Sequence, residues 1–180
     1  MTVAVQSERI TSRNVGVAAE AIAAAQFARI GFDISVQYGA NQPEYDLAIV
    51  QGDTLMKVSV KGSQDGGWGL SQSYLKDADY HKAADDWLGK HGRETVLCFV
   101  QFQGVGIEEM PRLYLAQAHE VAAVLKATRN GLGDTIIHER KAWVRGAAAG
   151  SESSIPADWR FSKLRVDEIL SRREPGASSK

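Results

Sequence analysis

The sequence predicts an α/β sandwich in which a central mixed β-sheet is flanked by helices. Three observations carry this. The alanine-rich stretch 12–30 has a helical pattern, two apolar runs around Gln51-Gly52-Asp53 read as a hairpin, and the apolar run from Thr95 follows a second helical segment. A hairpin pairs its strands antiparallel, whereas a strand reached through a helix returns parallel. One sheet with both pairing senses is the expected result.

The elements follow in chain order. Residues 1–10 read as a loose arm. The first helix, 12–30, takes Ser12 as its N-cap and stops at Gly31. Alternating apolar residues over 32–38 give a strand, and 39–43 is rich in turn formers. A strand opening at Asp46 and another over 57–61 form the hairpin. Glycines crowd 62–69, which reads as a flexible loop, before a helix over 76–91. Strands are expected over 95–103 and 112–116, then a helix over 117–128 with Val121, Val124 and Leu125 on one face. A short strand over 135–139, a long loop over 141–156, a segment over 158–173 that starts with Trp159 and Phe161 and ends in a charged helix, and a frayed tail over 174–180 complete the reading. Residues 11–173 are expected to form a single domain, a size sufficient for one core.

Composition narrows the function classes. Among the 180 residues 44% are hydrophobic and 24% charged, ordinary for a globular chain. No apolar run approaches the roughly 20 residues needed to cross a bilayer. The first nine residues lack a basic-then-apolar leader pattern. The single cysteine, Cys98, excludes an internal disulfide and fits a cytoplasmic location. A net charge of −1 argues against a general nucleic-acid coat, so any such binding must use a local patch. No zinc spacing, phosphate-gripping glycine loop or Ser-His-Asp arrangement is present.

The chemistry-bearing residues sit in the hairpin and the first helix. Side chains alternate along a strand, so Lys57, Ser59 and Lys61 point one way and Met56, Val58 and Val60 the other. Pairing of the two strands brings Asp46 close to the end that carries Lys61. An acid and a lysine converging at a strand edge suit a hard metal ion and a phosphate. Glu20 has Gly16, Ala24 and Phe27 at helical spacing, so it borders an apolar face where an unpaired carboxylate is costly.

Glu20, then Asp46 in Pro43-Glu44-Tyr45-Asp46, then Lys61 in Val58-Ser59-Val60-Lys61-Gly62, resemble in order and spacing the motif of the PD-(D/E)XK nuclease superfamily. That superfamily includes restriction endonucleases and archaeal Holliday-junction resolvases. The resemblance covers residues 13–75 and implies a restriction-endonuclease-like fold. It further implies metal-dependent hydrolysis of DNA phosphodiester bonds, with RNA left open as substrate. Glu20, Asp46 and Lys61 would be catalytic, and Glu20, Asp46 and the Val60 backbone carbonyl would hold Mg²⁺ or Mn²⁺. Ser59 stands where the family has Glu or Asp, sometimes Gln, so the ion is expected to be weakly held. Glu44 and Gln72 are secondary candidates beside the site, and Trp68 and Lys57 are expected to contact nucleic acid, Trp68 by stacking or wedging. A homodimer is implied because many relatives cut two strands with two copies. The alternative reading is an inactive module on the same fold that binds nucleic acid or a protein.

Overall fold

The computed structural model describes residues 11–37, 45–92 and 95–172. Helix α1 (Ser12–Arg29) is capped by Thr11, whose Oγ1 accepts the Asn14 N–H at 3.2 Å. The cap therefore falls one residue before Ser12, because Thr11 is the residue with extended backbone dihedrals. Gly31 then turns the chain at φ +93°, a left-handed conformation that a side chain would strain.

Strands β1 (Asp33–Val36), β2 (Leu47–Gln51) and β3 (Thr54–Ser63) form an antiparallel meander. The β2–β3 turn is Gly52-Asp53, with Gly52 at φ +59°. Helix α2 (Tyr80–Leu88), capped by the Asp79 carboxylate, carries the chain over to β5 (Thr95–Gln101). That strand lies parallel to β3, with Lys61 beside Phe99. Strand β6 (Arg112–Gln117) returns antiparallel, giving the order β1-β2-β3-β5-β6. The sheet is mixed for the reason the sequence suggests: a hairpin on one side of β3 and a helical crossover on the other.

Helix α3 (Ala118–Ala127) follows β6 directly, then β7 (Ile136–His138), β8 (Arg140–Ala142), β9 (Glu152–Ser154) and α4 (Lys163–Ser171). Two expectations are corrected here. The glycine-rich stretch is not a free loop, since it contains strand β4 (Gly67–Gly69), which pairs with β7. The stretch 141–156 contains most of a β8–β9 hairpin joined by the Arg140–Glu152 ion pair. The segment from Asp158 begins as a short 3-10 turn and ends, as its sequence suggests, in a charged helix that starts after Ser162, whose hydroxyl caps it.

The two faces of the sheet are covered unequally, and this positions the site. On one face α1 and α4 pack over all the longer strands: Ala19, Ala23 and Phe27 meet Leu47, Ile49, Val58, Val60, Cys98 and Leu115, with Val166 and Ile169 from α4. On the other face the core contains Leu97, Phe99, Tyr114 and Ala116 under α2, α3, β4 and β7. No described residue of β1, β2 or β3 belongs to that second cluster. Among the described residues the β1–β3 half of this face takes no part in that apolar cluster, and it is the side toward which Lys57, Ser59 and Lys61 alternate.

Candidate functional site

Asp46 sits just ahead of β2, where pairing with β3 gives out. Its N–H donates to the Val58 carbonyl at 2.9 Å, and its own carbonyl accepts the Gln37 N–H at 2.9 Å. Beyond that point the Asp46 side chain takes over: Oδ2 accepts the Val60 N–H at 2.6 Å and lies 3.4 Å from Ser59 Oγ. The carboxylate thus substitutes for the next rung of the ladder. A strand residue presents its N–H and C=O toward the same edge. The Val60 carbonyl therefore opens into the gap that Asp46 occupies.

Glu20 reaches this corner from α1. Its carboxyl is raised above the ordinary value, first by burial and then by the neighbouring Asp46 charge, while the Lys61 ammonium pulls it the other way. Glu20 therefore stands within electrostatic reach of both residues. What lets the helix come so near is Gly62, the residue after Lys61. A Cβ there would lie 2.9 Å from Ala19 Cβ, 2.9 Å from Val15 Cγ1 and 2.9 Å from the Val15 carbonyl. The absence of a side chain at Gly62 sets the height of α1 over β3, and with it the position of Glu20.

Ser59 is buried, 4% exposed, against Asp46. Lys57 lies on the same face, its ammonium 5.3 Å from the centre of the Tyr45 ring. Glu44 lies outside the described residues. Gln72 is exposed and packs its amide against Gly69. Trp68 is a correction: it is 3% exposed, with its ring 5.2 Å from Phe99 and edge-on to Tyr114 at 6.3 Å. Burying so large an aromatic outweighs leaving it free to stack on a base.

The donor set can be tested against a divalent ion. Two carboxylates and a strand carbonyl are hard oxygen ligands of the kind Mg²⁺ and Mn²⁺ take. Among the described residues no group of three or more His, Cys, Asp or Glu side chains is placed to hold a metal ion. Ser59, buried beside Asp46, brings a hydroxyl and no carboxylate to this corner. The residues fit one ion with water completing its shell and fall short for two.

Sequence reasoning passed over two features. One is the close approach at Gly62, signalled by a glycine directly after a strand lysine. The other is Gln101, fully buried in the otherwise apolar run of β5, whose amide donates to Ser63 Oγ at 3.2 Å. In α4, Arg165 is 2% exposed, bound to Glu120 and to the Leu115 carbonyl.

No helix among the described residues is long and apolar enough to cross a membrane. No family model matches the chain, and no curated protein matches it. Among solved structures it is similar to a bacterial homing endonuclease, at 15% sequence identity over 91% of this chain and 98% of that one, with a TM-score of 0.47.

Proposed function

We propose that the chain is a metal-dependent endonuclease that hydrolyses DNA phosphodiester bonds at the corner formed by Glu20, Asp46 and Lys61. The observation that carries this reading is Asp46 anchored on the Val60 N–H at the open end of the β2–β3 ladder, with Glu20 in electrostatic reach of Asp46 and Lys61. Acids that repel one another are costly to hold together without a cation. A bound Mg²⁺ or Mn²⁺ would polarise the scissile phosphate and acidify a water molecule. Asp46, fixed through Oδ2, would hold the ion together with Glu20 and the Val60 carbonyl. Lys61 supplies positive charge where the phosphate gathers negative charge in the transition state.

A second reading has its own observation. With Ser59 in place of the third acid, the same corner suits a module that binds nucleic acid without cutting it. Cleavage of duplex, branched and single-stranded DNA and of RNA, with Mg²⁺ and Mn²⁺, separates the two. We expect wild type to cut DNA, Lys61→Ala to lose cleavage with an unchanged melting temperature, and Asp46→Asn to lose the metal-induced rise in melting temperature that wild type shows. Binding without cleavage under every ion would favour the module.

A further inference from the structure

A cleft of about 190 Å³ opens one residue beyond Lys61, between the first turns of α1 and the chain that leaves β3. Ser12 and Val15 line one side, and Gly62, Ser63, Gln64, Asp65 and Gly67 the other. The volume is well beyond the roughly 10–15 Å³ of probe space that one water needs and below the roughly 300–1,000 Å³ of a drug-sized pocket. A single heterocycle is of that size.

One wall of the cleft is held from the core. Gln101, wholly buried, donates from Nε2 to Ser63 Oγ at 3.2 Å and accepts the Gln103 N–H on Oε1 at 2.9 Å. The Ser63 hydroxyl in turn donates to Asp65 Oδ1 at 2.9 Å, and the Gly67 N–H reaches the same oxygen at 3.4 Å. A buried amide costs free energy unless its bonds are made, and here they serve the loop that carries Asp65. Two donors on Oδ1 direct a ligand to Oδ2. No lysine, arginine or histidine lines the cleft among the described residues. An anionic acceptor without a neighbouring cation repels phosphate and selects a group with N–H to give.

We propose that this cleft receives one unstacked nucleobase of the strand being cut, and that Asp65 accepts a hydrogen bond from its exocyclic amino group. The inference rests on the nuclease reading, because a strand with its scissile phosphate at Lys61 would bring an adjacent nucleotide here.

The test is oligonucleotide binding in EDTA, followed by fluorescence anisotropy. Single-stranded probes differ only in carrying adenine or purine, and guanine or inosine, each pair distinguished by one amino group. Wild type is expected to bind the amino-bearing member about tenfold more tightly. Asp65→Asn preserves an acceptor for Ser63 and Gly67 but presents an amide N–H₂, so its preference shifts toward thymine and its O4 acceptor. Equal affinity within both pairs, or discrimination that survives Asp65→Asn, overturns the assignment even when wild type cuts DNA. Discrimination without cleavage under any divalent ion leaves the cleft standing and removes the nuclease. Absence of binding to every probe removes both.

Discussion

Replacing Gly62 by alanine tests how the fold sets the site. On chain entropy alone, Gly→Ala at a backbone conformation that alanine can adopt stabilises by about 0.4–1 kcal/mol. Gly62 lies in a strand with its φ outside the left-handed region, so that gain applies. Against it stand three contacts at 2.9 Å, one of them to the Val15 carbonyl, which cannot retreat unless α1 moves. Overpacking of this kind costs about 1–3 kcal/mol, so the steric effect wins by about 1–2 kcal/mol. For a chain of this size that lowers the melting temperature by roughly 2–8 °C. The same displacement lifts Glu20 from Asp46, and misplacing a catalytic group by about 1 Å costs on the order of 100-fold in rate. Gly16, mid-helix in α1, is the internal control, because a Cβ added there would meet nothing within 4 Å. There alanine is worth about 0.8–1 kcal/mol of helix propensity, so Gly16→Ala raises the melting temperature by roughly 2–4 °C. Calorimetry and a cleavage time course on both variants check the argument. A Gly62→Ala protein that melts at or above wild type would refute the packing of α1 on β3.

Two further outcomes follow from the same corner. A carboxyl whose folded value is raised holds its proton more tightly in the folded state, so Glu20 subtracts stability above that raised value and ceases to do so below its unfolded value of about 4.3. Glu20→Gln therefore raises the metal-free melting temperature at pH 7 and leaves it unchanged at pH 4; a fall at pH 7 contradicts the burial. Ser59→Glu adds a carboxylate beside Asp46 in a buried position, so it lowers metal-free stability while tightening Mn²⁺ binding in a calorimetric titration. An affinity at or below wild type would show that this side chain does not border the ion.

Much of the frame is legible from local pattern. The alanine content and Gly31 stop of α1, the turn residues Gly52-Asp53 and the alternation through Lys57, Ser59 and Lys61 are each read within a few residues, and the structure has these elements. What escapes depends on partners far along the chain. Trp68 is buried because β4 finds β7, with Gly69 opposite Ile136. Arg165 is buried because Glu120 lies 45 residues earlier and on a different helix. The β8–β9 hairpin hides in a stretch of small residues, where nothing local distinguishes a strand from a loop. Thr11 and Ser12 are adjacent hydroxyl residues, and only the backbone dihedrals decide which one caps.

The anchoring of Asp46 on Val60 gives this carboxylate a structural employment. One oxygen closes the open end of a strand pair, and losing it strands a buried amide at a cost of about 1–3 kcal/mol. Selection for a sound fold will therefore preserve an aspartate here whether or not the corner cuts DNA, and its persistence testifies to architecture as readily as to reaction. On the proposed reading Lys61 is the better witness of activity in any related chain.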